Sequence, residues 1–234
     1  MAGDFKPQPR VKNALDNNKF HLTAPNSKGK NASFQISLNQ TATGQNEGAL
    51  NPRATVYTND PDDTTDYGKI TAALDSNTMY AYLTLIRKAI KHDKPVRWKV
   101  DNKNFFVGGK RTETPTVVSG LIVGRDEDGT IWTTVSAPRR PNIKFVFGPS
   151  EFHSITETDG AQMDRAALSQ VYAEAFVDRV SQMLAILLVD LYKAPPPRDQ
   201  QGGGGGYGGG NRGGNSNGGG GGGSTNTADD DIPW

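Results

Sequence analysis

The sequence predicts a mainly β fold with helices, and three observations carry that prediction. Short β-branched or alternating segments recur between residues 19 and 58 and again between 96 and 147. One amphipathic helical segment separates the two groups, and a longer one follows the second. The last stretch has neither period. Sixteen of the 28 glycines lie between Gly202 and Gly223, so that window offers too little apolar surface to offset the entropy of ordering and is expected to be disordered.

Taken in order, residues 1–18 place Lys6, Arg10 and Lys12 among Pro and Asn with no apolar period, which reads as a flexible, mildly basic arm. Lys19 to Thr23 forms a first short strand, and Pro25 to Lys30 is a turn cluster. From Ser33 to Leu38 the chain alternates Phe34, Ile36 and Leu38 against Ser33, Gln35 and Ser37, the period of a strand with one buried face. Arg53 to Thr58 is the third strand, followed by an acidic loop over Asp60 to Asp66 that reads as a solvated loop. Asp75 or Ser76 can cap a helix with Met79, Leu83, Ile86 and Ile90 on one face, ending near His92 before Pro95. Val96 to Val100 and Phe105 to Val107 read as two strands about a turn at Asp101 to Asn104. Thr116 to Arg125 and Thr130 to Ser136 form a hairpin about Asp126 to Gly129, and Asn142 to Phe147 makes a further strand. From Asp159 the period becomes 3.6 through Leu168, Tyr172, Phe176, Val180, Leu184 and Leu191, a helix of about thirty residues stopped by Pro195-Pro196-Pro197. Its stripe can cover the body or form the seam of a homodimer, so monomer and homodimer both stay open.

Three strands, a helix and further strands is the order of an OB-like Greek-key β-barrel with a helix between strands 3 and 4. The C-terminal helix and a disordered tail are additions to it. The resulting organisation is an arm over residues 1–18, an OB-like domain with its C-terminal helix over 19–193, a Pro/Gly-rich linker over 194–228 and an acidic tip over 229–234.

Composition excludes several classes. The chain has no Cys, so disulfides, zinc thiolate sites and cysteine nucleophiles are ruled out. Its three histidines have no metal-ligand spacing and stand in no nucleophile motif, and the carboxylates at Asp60, Asp62, Asp63 and Asp66 lack the glycine and terminal Glu of an EF-hand loop. No metal, cofactor or enzymatic activity is therefore expected. The N-terminus lacks an apolar signal core, and the longest apolar run, Met183 to Val189, is too short to span a bilayer, so no membrane association and a cytoplasmic location are expected. The net charge of +1 conceals a split, since 24 basic and 21 acidic residues precede Arg198. A nucleic-acid footprint must then come from clustered cations rather than bulk charge.

Such clusters exist. Single-stranded nucleic acid offers phosphates to Lys and Arg and unstacked base faces to aromatic rings, and this chain interleaves the two. Arg53 precedes Tyr57, and Arg97, Trp98 and Lys99 are consecutive. Lys103, Phe105, Phe106, Lys110 and Arg111 fall within nine residues. Alternation puts Arg97 and Lys99 on one strand face and Trp98 on the other, and lets only one of Phe105 and Phe106 face a ligand. Core packing is the alternative role of each aromatic, and Trp132 reads as a barrel filler. Lys28 and Lys30 in their turn, and Arg139-Arg140 in a Pro-flanked loop, are candidate phosphate contacts or ordinary solvated turns. Gly108-Gly109-Lys110-Arg111 lacks the phosphate-loop pattern and reads as a β-turn.

The C-terminal tip points the same way. Asp229-Asp230-Asp231-Ile232-Pro233-Trp234 sets a compact apolar hook and a carboxylate beside three acids. It resembles the C-terminal tip of bacterial and bacteriophage single-stranded-DNA-binding proteins, which ends Asp-Asp-Asp-Ile-Pro-Phe, with Trp234 in place of the Phe. The long helix after the strands points to the bacteriophage type, in a bacterial host cytoplasm. The resemblance implies non-sequence-specific binding of single-stranded DNA in replication, recombination or repair. It also implies recruitment of replication and repair proteins through Asp229 to Trp234. An RNA chaperone, or an adaptor that binds no nucleic acid, would use the same features differently.

Overall fold

The structure, a computed structural model, describes residues 12–41, 48–107 and 110–193. The start of the expected arm, the 194–228 linker and the tip lie outside the described residues. Two four-stranded antiparallel sheets form the body. The first runs in the order β1 (Leu22–Pro25), β2 (Asn31–Gln40), β3 (Leu50–Tyr57), β4 (Lys69–Ala73). After helix α1 (Ser76–Ile90) comes the second, β5 (Val96–Val107), β6 (Lys110–Arg125), β7 (Ile131–Ser136) and β8 (Phe145–Val146), and then helix α2 (Arg165–Asp190).

Alternation explains the first sheet. Ala32, Phe34, Ile36 and Leu38 of β2 are buried, and the register sets Phe34 opposite Val56 and Ile36 opposite Ala54 on β3, with Ile70 and Ala72 of β4 beyond them. Leu121, Val123, Ile131, Val135 and Phe145 line the inner face of the second sheet. Phe34 lies 5.8 Å from Phe145 and 6.3 Å from Phe176 of α2, so one ring joins both sheets and the long helix. Helix α1 is capped by Asp75, which accepts from the Thr78 N–H at 2.8 Å, and buries Met79, Tyr82, Leu83 and Ile86 in the same core. The Tyr82 hydroxyl, fully enclosed, bonds to Thr133 Oγ1 on β7. At the start of α2, Ser169 Oγ donates to the Ile131 carbonyl at 3.2 Å and accepts from its N–H at 2.9 Å. The helix then buries Ala173, Phe176, Val177, Val180 and Leu184, covering the body, while Val171, Ile186 and Val189 stay exposed.

Neither sheet closes on itself. The outward carbonyls of edge strand β4 are met by side chains of the second half: Thr71 accepts from Ser119 Oγ at 2.8 Å and Lys69 from Arg140 Nη2 at 3.3 Å. These bonds satisfy the edge without a ladder. At the opposite seam β1 and β8 touch without pairing.

Several expectations change. Strand β4 was not foreseen, so α1 follows a fourth strand and not a third. The expected turn at Asp101 to Asn104 is continuous strand, and the last strand shrinks to Phe145 and Val146. Residues from Asn13 onward are anchored: Asn13 and Asp16 form a reciprocal capping box around a single 3-10 turn. The Asn13 amide donates to the Leu38 carbonyl at 2.9 Å, and Leu15 is buried.

Candidate nucleic-acid interface

The second sheet is uneven. β5 pairs with β6 out to Val107 opposite Lys110, whereas β7 covers β6 only from Gly120 to Arg125. Residues 102–107 and 110–119 therefore form a two-stranded arm beyond the rest of the sheet. Asn104 pairs with Thr116 and Phe106 with Arg111, so four residues of β6, Thr112 to Pro115, stand opposite Phe105 alone. Pro115 has no N–H to give a ladder, and Thr112 Oγ1 instead donates to the carbonyls of Phe105 at 3.0 Å and Thr114 at 2.8 Å.

On this arm the structure brings together five of the expected residues, Lys103, Phe105, Phe106, Lys110 and Arg111, all exposed. Phe105 is 43% and Phe106 59% accessible. Among the described residues no third strand lies beside the pair at these positions, so both rings are offered to solvent.

At the base of the arm alternation holds, with an unforeseen phase. Trp98 points inward, packs on the core and meets His92 edge-on at 5.9 Å, beside Lys88 and Lys91 of the α1 terminus. Arg97 and Lys99 face outward. The register runs from Arg97 through Gly124 to Trp132, so the aromatic that shares their face is Trp132, which is buried but lies outside the main hydrophobic cluster. Its indole lies over Gly124, where a Cβ would come within 2.5 Å of the ring. Arg97 stands 5.8 Å and Lys144 4.7 Å from the ring centroid, and Asp126 accepts from both the indole N–H and Lys144 at 2.8 Å. Lys99 is paired with Asp101 at 2.7 Å.

The remaining expected residues lie elsewhere. Tyr57 and Arg53 share the outer face of the first sheet, Tyr57 in register with Ser33 and Lys69 and accepting from Gln35 at 3.4 Å. Lys28 is ion-paired with Asp62 at 2.9 Å, and the hydrogen bond to Asp62, with its charge, holds the ammonium pKa above its ordinary value. Lys30 is exposed in the same turn. The acidic loop is no mere solvated loop, because Asp63 is buried in a bidentate pair with Arg140. Arg140 thus holds the loop to the β4 edge, and of the two adjacent arginines only Arg139, at a left-handed φ of 60°, is turned to solvent.

The face that Trp132 occupies could have been found by counting register from Arg97. One exposed aromatic escaped the sequence reading. Tyr67, 99% accessible on left-handed backbone after Asp66, gave no periodic signal at all. Among the described residues no helix is long and apolar enough to cross a membrane, and no three His, Cys, Asp or Glu gather to hold a metal ion. Comparison of the chain with protein-family models, with curated proteins and with solved structures finds no match.

Proposed function

We propose that this chain binds single-stranded DNA without sequence specificity, as a bacteriophage-type protein of replication, recombination or repair. In this reading its acidic tip, Asp229 to Trp234, recruits partner enzymes. The observation that carries the reading is the arm, where three exposed cations and two exposed phenylalanines occupy one two-stranded ribbon. Exposed Phe rings cost solubility and gain nothing from packing, whereas each base stacked on such a ring contributes about 1 to 3 kcal/mol. Arg97 and Arg139, both exposed, continue the positive charge from the arm toward the body. The fold is read as an OB-like barrel bridged by side chains at the β4–β6 seam. In support of this, two sheets face each other across a shared core with α1 set between the strand groups. No reaction is catalysed in this reading.

Fluorescence anisotropy with labelled oligo-dT, a matched RNA and a duplex, at two salt concentrations, tests it. The expected result is preferential binding of the DNA single strand, weakened by salt through counterion release. Equal or tighter binding of RNA would favour a chaperone, and no binding to any of the three would defeat the reading.

A further inference from the structure

Where β1 and β8 lie side by side unpaired, a cleft of about 440 Å³ opens between the Lys19–Thr23 segment, the chain after β8 and helix α2. Its chemistry is one-sided. Lys19, His21, His153 and Arg179 line it, and among the described residues no Asp or Glu does. Arg179 enters from α2 with its guanidinium held against the rings of Phe20 at 4.5 Å and Phe176 at 5.6 Å, an arrangement that fixes its plane. Nη2 donates to the Phe20 carbonyl at 3.3 Å, but Nε is buried with no partner among the described residues. His21 Nε2 is likewise buried and unpartnered. His153 is turned by a 2.8 Å contact between its Nδ1 and Ser150 Oγ.

A half-buried cation without a counter-ion is costly, and an unmade bond at a buried donor adds to that cost. Burial depresses the pKa of both Arg179 and His21, with the charge of Asp16 only partly opposing it at His21. An anion in the cleft would remove these penalties together. Its charge can be bounded: a phosphate monoester carries about −1.5 to −2 near neutral pH and three strong acceptor oxygens, whereas an interior diester carries a single charge. Lys19 and Arg179 with two imidazoles suit the former. The cleft volume falls in the range of small-molecule sites, and Tyr172 supplies a flat wall beyond the cations.

We propose that this cleft is a binding site for a phosphate monoester of nucleotide size, either a free nucleotide or the phosphorylated end of a strand. The site is separate from the arm and does not depend on it. The first test is a titration of the full chain with inorganic phosphate against chloride of equal ionic strength, following the histidine ring resonances by NMR. The His21 and His153 signals are expected to move saturably with phosphate and not with chloride. The second compares dTMP with thymidine, and 5′-phosphorylated with 5′-hydroxyl oligo-dT, on the native chain and on R179Q and R179K. The native chain should prefer the phosphorylated member of at least one pair by roughly tenfold or more, as expected for charge-assisted bonds. R179Q should abolish that preference, R179K should keep part of it, and binding of the 5′-hydroxyl strand should be unchanged. A preference confined to dTMP identifies the free nucleotide, and one extending to the strand identifies the strand end. Static histidine signals with phosphate, or no preference in either pair, would overturn the proposal. Neither result would touch oligo-dT binding by the arm.

Discussion

At Asp63 both carboxylate oxygens accept from Arg140, at 2.5 and 2.8 Å, and one accepts from Thr58 Oγ1 at 2.8 Å. The side chains are 2% and 10% accessible, so removing either partner strands a charge where water cannot reach it. Arg140→Ala should therefore destabilise the fold by about 3 to 5 kcal/mol in urea unfolding. Arg139→Ala next door should stay within about 0.5 kcal/mol. The pair also sets a pH dependence. Hydrogen bonding to Arg140, ahead of that to Thr58 and against the opposing effect of burial, holds the Asp63 pKa below its ordinary value. A depressed carboxylate stabilises the fold above its unfolded pKa, near 3.9, and that contribution drains away as pH falls through the folded value. In Asp63→Asn the urea midpoint should be lower at neutral pH and fall less steeply below about pH 4 than in the native chain. Parallel curves for the two proteins would refute this role for the pair.

On the β5–β6 arm, Phe105→Ala and Phe106→Ala should each weaken oligo-dT binding by about 1 to 3 kcal/mol. Because neither ring is packed, the melting temperature should not move, and a thermal scan beside the anisotropy titration separates a missing stacking platform from a damaged fold. Replacing Lys103, Lys110 or Arg111 should instead lower the salt dependence, by about 0.7 in log–log slope for each phosphate no longer neutralised. The arm also shows what a sequence can convey. Alternation within β5 was legible, and Arg97 and Lys99 do oppose Trp98. The phase was not, because which face meets a core is decided by the sheet and helix packed against it. Trp98, a candidate stacking ring, turns toward the core, and Trp132, read as a filler, is buried on the outward face. Asp101 to Asn104 read as a turn because polar residues rarely continue a half-buried strand, yet Asp101 is ion-paired with Lys99 and the other three lie on the open arm, where they cost little. Strand β4 escaped because Ala72 and Ala73 have weak strand propensity, and its place is fixed by its ladder with β3 and by long-range bonds from Ser119 and Arg140. Helix α2, by contrast, announced itself by period alone, and Asp75 by capping chemistry.

In the proposed function a body of nearly balanced charge holds a polyanion, while the same chain carries three consecutive aspartates at Asp229 to Asp231. Before Arg198 the excess is only three positive charges, 24 basic residues against 21 acidic. Many of the acids are already committed to specific cations: Asp62 to Lys28, Asp63 to Arg140, Asp101 to Lys99, Asp126 to Lys144 and Asp178 to Arg87. Lys103, Lys110 and Arg111 of the arm stand exposed, and the acidic tip is an intramolecular rival for them. From its Pro/Gly-rich composition, the stretch of about 35 residues before the tip is expected to span roughly 30 to 35 Å root-mean-square, which would present the tip at about a millimolar effective concentration. A tip that binds those cations with a millimolar Kd would occupy them about half the time, and one tenfold tighter about nine-tenths of the time. Removing Ala228 to Trp234 should accordingly raise affinity for oligo-dT by about twofold in the first case and about tenfold in the second. The gain should shrink as salt screens the tip, since exposed charges more than about a Debye length apart no longer feel one another. Anisotropy titrations of the full and shortened chains at low and high salt read this directly, with a thermal scan to show that the body is intact. Equal affinities at low salt would mean that the tip never reaches the DNA-binding cations and acts only on other proteins.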